Sequence, residues 1–317
     1  MTYLLVLGGI ALLALGGDLL VRGAVGVARR LGISPLLAGL TIVGFGTSTP
    51  ELVTSLNAAF AGSAGIAVGN VVGSNIANFL LIVGISAIIM PLTTSPAAFR
   101  RDGLALAIAT LAFAACILIG VIERWMGAAL VIALLGYISW AYFSERTQGD
   151  AEAERHEHEA EDVSVPSTGL PMLLLFCVAG IGAAVLGADW LVRGAVDMAR
   201  GLGVSETLIG LTVVAVGTSL PELIACVAAA LRGHGDVALG NAVGSNIYNI
   251  CGILGLTVLV QPLTVPPEIV RLDVWVLLGS TALLLLFLRT DWAFKRWEGG
   301  AFVALYIGYL AVLIRMA

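Results

Sequence analysis

The 317-residue chain is 59% hydrophobic and 12% charged, with a mean hydropathy of +1.01, whereas soluble domains carry about 25% charged residues. Apolar runs of roughly 20 residues mark an all-α polytopic membrane protein and exclude a soluble fold, and the alternating segments of about 10 residues that a β-barrel needs are absent. The net charge of −5 identifies no partner, nucleic acid included, because 8 of the 21 acidic residues fall between Glu145 and Asp162.

In chain order the runs predict ten transmembrane helices, at roughly 2–28, 35–60, 64–90, 102–122, 126–143, 170–199, 206–231, 236–260, 272–289 and 299–316. The opening MTYLLVLGGIALLALGG has no basic start and further spans follow, so it reads as an uncleaved first helix rather than a signal peptide. Between the fifth and sixth spans lies the charge-rich segment 144–169, expected to be a solvated acidic linker in which His156 and His158 are solvated rather than metal-binding. Cys116, Cys177, Cys226 and Cys251 are scattered through apolar segments without metal-ligand spacing and read as small buried hydrophobes.

The two sides of the linker carry one sequence twice. GGDLLVRGAVGVARRLGIS (16–34) aligns with GADWLVRGAVDMARGLGVS (187–205), GTSTPEL (46–52) with GTSLPEL (217–223), and VGNVVGSNIANF (68–79) with LGNAVGSNIYNI (239–250). The offset stays at 171 residues from Gly16/Gly187 to Pro96/Pro267. The organisation is therefore a first five-helix repeat, 1–143, the linker, and a second, 170–317. Five spans leave the chain on the far side of the membrane, so the second repeat enters inverted, as in many secondary transporters with a midplane site.

With the amino terminus outside, ten basic residues fall in inner loops (Arg29, Arg30, Arg100 and Arg101 among them) against four outside, which places both termini outside and the linker in the cytoplasm of a cell with this chain in its plasma membrane. Asp18/Arg22 and Asp189/Arg193 share helix faces and read as ion pairs near helix ends.

Deep in the spans, charge is nearly confined to Glu51 and Glu222, and a buried carboxylate in a membrane is a functional candidate by default. Pro50 and Pro221 withhold a hydrogen bond from the carbonyls of Gly46 and Gly217, so backbone oxygens are expected to be freed there. Thr47 and Thr218 precede the glutamates by four residues and share their helix side. The next span offers Asn70, Ser74 and Asn78, and its repeat Asn241, Ser245 and Asn249, each an oxygen-bearing stripe at i, i+4, i+8. Gly69/Gly73 and Gly240/Gly244 form G-xxx-G pairs that predict close helix approach. Such oxygens suit Ca²⁺, Na⁺ or Mg²⁺. Two ionised glutamates balance one Ca²⁺, two Na⁺ or two protons, which is a basis for exchange.

The doubled G-T-S-x-P-E, each followed by G-N-x-x-G-S-N-I-x-N, resembles the α-repeats of the cation/Ca²⁺ exchanger superfamily, and of its prokaryotic sodium/calcium exchangers in particular. The resemblance implies a non-enzymatic antiporter that needs no cofactor and expels Ca²⁺ against inward Na⁺, with the first and sixth helices sliding across the core. It implies that Glu51 and Glu222, with the backbone carbonyls of Thr47 and Thr218, hold Ca²⁺. Ser48, Ser74, Ser219 and Ser245, with Asn78 and Asn249, would then form flanking Na⁺ sites. Some relatives carry aspartate where this chain has Asn249, so here the cage has two carboxylates and not three. The residues alone leave open H⁺/Ca²⁺ antiport, a passive cation channel and, least supported, a membrane enzyme using Ser48 or Thr47 with Glu51 as base.

Overall fold

The computed structural model describes residues 2–33, 35–148, 169–201, 217 and 219–316. Most of the expected linker, and Thr218, lie outside these residues. Eight described helices are long and apolar enough to cross a membrane.

Helix α1 (Thr2–Leu31) ends on Arg29 and Arg30, basic residues where the helix dipole favours them. Helix α2 runs through Pro35–Ala38, a π-helical stretch Gly39–Val43 and Gly44–Thr47; after a break at Ser48 the chain continues as α3 (Thr49–Phe60). Then follow α4 (Ala64–Ile89), α5 (Pro96–Ile119) and α6 (Arg124–Gln148). The second half supplies α7 (Leu170–Gly201), α8 (Leu220–Leu231), α9 (Gly235–Val260), α10 (Ile269–Asp291) and α11 (Arg296–Met316). Helices α4 and α9 are the most buried of the long ones and form the centre, while α11 and α7 are the most peripheral.

Two expectations are corrected. The helices expected at 102–122 and 272–289 begin earlier, at Pro96 and Ile269, and at the first of them local capping outweighs hydropathy. Ser95 Oγ accepts from the Ala98 amide at 3.1 Å and Pro96 takes the first helical position. Arg101, counted above with the inner loops, consequently lies inside α5, buried and bonded to Asp102 at 2.7 Å, while Tyr137 donates to Asp102 at 2.9 Å. The fold is helical as expected, and four two-residue loop segments add short strand pairs to it. β1 (Leu92–Thr93) joins β4 (Ala293–Phe294), and β2 (Val121–Ile122) joins β3 (Leu263–Thr264), both antiparallel. Two-residue strands carry no periodic signal, so only tertiary contact reveals them.

These pairs join the halves crosswise. Shifting by 171 residues carries β1 onto β3, and each strand's partner belongs to the other half. The helix ends repeat the arrangement. Arg124 donates to the carbonyls of Leu259 and Val260 at the end of α9, and Arg296 to that of Ile89 at the end of α4. A cation there satisfies carbonyls that the helix leaves unpaired.

Helices α1 and α7 run antiparallel with their backbones touching. A Cβ added at Gly16 would sit 2.6 Å from the Ala184 nitrogen, one at Gly180 2.6 Å from the Leu20 nitrogen, and those at Gly9 and Gly187 2.8 Å from each other's carbonyl oxygens. Glycines seven residues apart thus make a seam on one face, the small-residue packing that membrane helices use to approach closely. The G-xxx-G expectation holds at Gly244, whose Cβ would fall 2.2 Å from the Leu40 carbonyl oxygen. Among the described residues nothing lies within 4 Å of a Cβ at Gly69 or Gly73.

The expected ion pairs form at Asp18–Arg22 and Asp189–Arg193, both at 2.8–2.9 Å, and Asp18 is also paired with Arg232 at the end of α8.

Widening the seam costs packing, so Gly16→Leu should destabilise the detergent-purified protein by about 1–3 kcal/mol. Thermal unfolding of this variant, beside Gly182→Ala on an open face of α7, checks the point; equal melting temperatures for both would refute close backbone packing at Gly16.

Candidate cation site between the two helix breaks

Both copies of the G-T-S-x-P-E segment start a helix just after the serine. Ser48 has φ −82°, ψ 8° and Ser219 φ −91°, ψ 9°, a turn conformation that precedes α3 and α8 and, at Ser48, also ends α2. Pro50 and Pro221 sit in the first turns of α3 and α8, where a missing N–H is harmless. Glu51 and Glu222 follow, also in the first turn, where a carboxylate meets the positive end of the helix dipole. The carbonyl of Gly46, expected to be free, is instead taken by the Thr49 hydroxyl at 3.0 Å. The second copy has Leu220 at that position.

The two serines bring the halves together. Ser48 donates to Glu222 Oε1 at 2.8 Å, and Ser219 donates to Glu51 Oε1 at 3.3 Å. Each serine therefore serves the carboxylate of the opposite repeat. Ser219 Oγ also lies 3.5 Å from Ser74 Oγ. Thr47 donates to the Val43 carbonyl at 3.0 Å, with Asn241 Oδ1 3.4 Å away, and Ser245 Oγ lies 3.5 Å from the same amide oxygen. Both glutamates are 1% exposed, and Thr47, Ser48, Ser74, Asn78, Ser219, Ser245 and Asn249 are all buried.

A matched pair of amides fixes the glutamate backbones from behind. Asn70 Nδ2 donates to the Glu51 carbonyl at 3.2 Å and to Ser55 Oγ at 2.9 Å. Asn241 Nδ2 reaches the Glu222 carbonyl at 3.4 Å and Cys226 Sγ at 3.0 Å. Sequence reasoning placed Asn70 and Asn241 on oxygen stripes but passed over Ser55 and read Cys226 only as a small buried hydrophobe. Their signal was the 171-residue offset itself, which pairs them one turn beyond the glutamates.

Helices α4 and α9 carry the rest. Their π-helical stretches, Asn78–Val83 and Tyr248–Leu254, start at or just before Asn78 and Asn249, and such bulges commonly mark functional positions. Asn78 and Asn249 lie one turn beyond Ser74 and Ser245.

The chemistry of the site lies in what is left unpaired. Glu51 Oε2, Glu222 Oε2, Asn78 Oδ1 and Asn249 Oδ1 are buried and have no hydrogen-bond partner among the described residues. Among the described residues no Lys, Arg or His is ion-paired with either glutamate, and none form a cluster of three or more His, Cys, Asp or Glu. A buried carboxylate without a cationic side chain costs several kcal/mol. Two such carboxylates with neutral hydroxyl and amide oxygens make a hard-ligand cage that an entering cation would neutralise.

Comparison with known proteins agrees with this chemistry. The family model described as sodium/calcium exchanger protein matches residues 1–143 and 172–315. The sodium/calcium exchanger MaX1 of Methanosarcina acetivorans is 34% identical over 98% of each chain. The putative antiporter CaxA of Alkalimonas amylolytica is 36% identical over 97% of each. A solved structure of the sodium-calcium exchanger NCX_Mj, soaked with zero Na⁺ and Ca²⁺, superposes with a TM-score of 0.84 at 33% identity over 98% of each chain.

Cys226 backs the Glu222 turn, is 1% exposed and donates to the Ala238 carbonyl at 3.3 Å. It should resist a membrane-permeant maleimide in the folded protein and react only after unfolding in SDS, as read by intact-mass spectrometry; rapid labelling of the native protein would show that water reaches behind the glutamate.

Proposed function

Because the chain belongs to the sodium/calcium exchanger protein family, we propose that it is a secondary antiporter exchanging Ca²⁺ for Na⁺ across the membrane, by alternating access around Glu51 and Glu222. The observation that carries this reading is the crosswise bonding of Ser48 to Glu222 and Ser219 to Glu51. It makes one site out of two repeats. The relatives named as exchangers bring the identity of the ions.

In this reading Ca²⁺ and Na⁺ are substrates, and the chain works as a transporter rather than an enzyme. Glu51 and Glu222 hold Ca²⁺ together, aided by the carbonyls of Thr47 and Thr218. Ser48, Ser74, Ser219 and Ser245, with Asn78 and Asn249, form the flanking Na⁺ positions. Either one Ca²⁺ or two Na⁺ cancels the two carboxylates, so the site crosses the bilayer neutral and rarely empty, which couples the two fluxes. A third Na⁺ on neutral oxygens would carry one charge, worth about 2.3 kcal/mol per 100 mV.

Ten helices in two inverted five-helix repeats, 1–143 and 170–317, joined by the acidic linker 144–169, is the architecture that fits best. It is supported by the antiparallel α1 and α7 and by the crosswise strand pairs. The fit of β1 with β4 and β2 with β3 requires each pair to share a membrane face, as ten crossings provide. With Arg101 removed to the interior, nine basic residues against four still favour termini outside and the linker in the cytoplasm. Sliding of α1 and α7 along the core gives access to each side in turn.

Proteoliposomes with an outward Na⁺ gradient at fixed pH should accumulate ⁴⁵Ca²⁺. Glu51→Gln and Glu222→Gln should each cut this uptake at least about tenfold, a loss of 1.4 kcal/mol or more. Uptake driven by a proton gradient and indifferent to Na⁺ would replace the reading with H⁺/Ca²⁺ antiport, and uptake needing no gradient would indicate a channel.

A further inference from the structure

Asn75 and Asn246 stand in the same duplicated G-S-N-I-x-N segment as Asn78 and Asn249, and both are buried at 0% exposure. Asn78 Nδ2 donates to Asn246 Oδ1 at 3.0 Å, and Asn246 Nδ2 lies 3.4 Å from the Asn75 carbonyl. The 171-residue offset converts the first of these into a bond from Asn249 Nδ2 to Asn75 Oδ1. That bond is not made. Asn75 turns its Nδ2 back onto the Val71 carbonyl at 2.6 Å, and Asn75 Oδ1 and both amide atoms of Asn249 have no partner among the described residues. The unsatisfied donor and the unsatisfied acceptor are the two ends of the bond that the other half makes.

An amide has a positive and a negative end, and only its oxygen can face a cation. Committing Asn78 Nδ2 to Asn246 leaves Oδ1 as the atom without a partner. We propose that Asn246 and Asn75 are positioning residues for ion binding: each accepts the amide N–H of the asparagine ligand on the opposite half and so turns that ligand's oxygen toward the ion. The first-half ligand is held in this way here, whereas the second-half ligand is oriented only once Asn75 leaves Val71 and accepts from Asn249. This rests on the reading of Asn78 and Asn249 as ligands. It adds that the order in which the two amides are set differs between the halves.

The test is the apparent affinity for Na⁺ and Ca²⁺ in proteoliposome exchange, alongside melting temperature in ion-free detergent. Asn246→Leu should raise the half-saturating Na⁺ concentration about tenfold and leave the maximal rate largely unchanged, the pattern of lost binding rather than lost turnover. Asn246→Asp, which keeps the acceptor oxygen and the packing volume, should stay nearer the wild type than Asn246→Leu and serves as the folded variant if the leucine form does not assemble. Because Asn246 acts through Asn78, the double variant Asn78→Ala/Asn246→Leu should be no weaker than Asn78→Ala alone. Asn75→Leu with Asn249→Ala should behave in the same way. Additive losses in the double variants, or wild-type affinity in Asn246→Leu while Glu51→Gln abolishes transport, would overturn the positioning role and leave the antiporter standing. Undiminished transport in Glu51→Gln as well would overturn both.

Discussion

The structure depends on one reciprocal interaction: the serine that precedes the glutamate-bearing helix of each repeat donates to the carboxylate of the other. Two buried carboxylates in a bilayer repel each other and the hydrocarbon around them. Hydroxyl donors relieve part of that cost, but among the described residues each glutamate keeps an oxygen without a partner. Cations or protons can meet the remainder. The rest of the fold can be understood as the scaffold that keeps this unsatisfied pair in register while letting its occupants change.

Several features serve that register. The proline after each serine starts a new helix, so the glutamate stands at a positive helix end instead of in a continuous rod. Asn70 and Asn241 tie the glutamate carbonyls to the neighbouring helices. At the periphery, strand pairs and arginine-capped helix ends lock α4 and α9 to loops of the opposite half. Helices α1 and α7 contact each other through a glycine seam, backbone on backbone at Gly9, Gly16, Gly180 and Gly187, with the Trp190 and Leu173 side chains packed onto Gly8 and Gly26 beyond it. So close a contact holds α1 and α7 together as one unit.

Much of this was legible in the sequence because membranes simplify the code. Hydropathy gave the helices, and a constant offset gave the repeat. The scarcity of buried charge singled out Glu51 and Glu222. What remained hidden was set by contacts between distant segments. Arg101 looked like a loop residue until α5 was seen to start at the Ser95 cap and to bury it with Asp102 beside Tyr137. The freed carbonyl of Gly46 was claimed by Thr49, a local bond that the proline rule alone does not anticipate. Asn75 and Asn246 were passed over because they fall off the i, i+4 stripe, and only the fold shows that they face each other's halves.

The crosswise strand pairs make the two halves interdependent. Either half, taken alone, leaves its two short strands without partners and its serine without a carboxylate. Every one of those needs is met by the other half, so neither copy of the repeated sequence is complete by itself. The halves have nonetheless diverged one turn beyond the glutamates, where one carries Ser55 and the other Cys226.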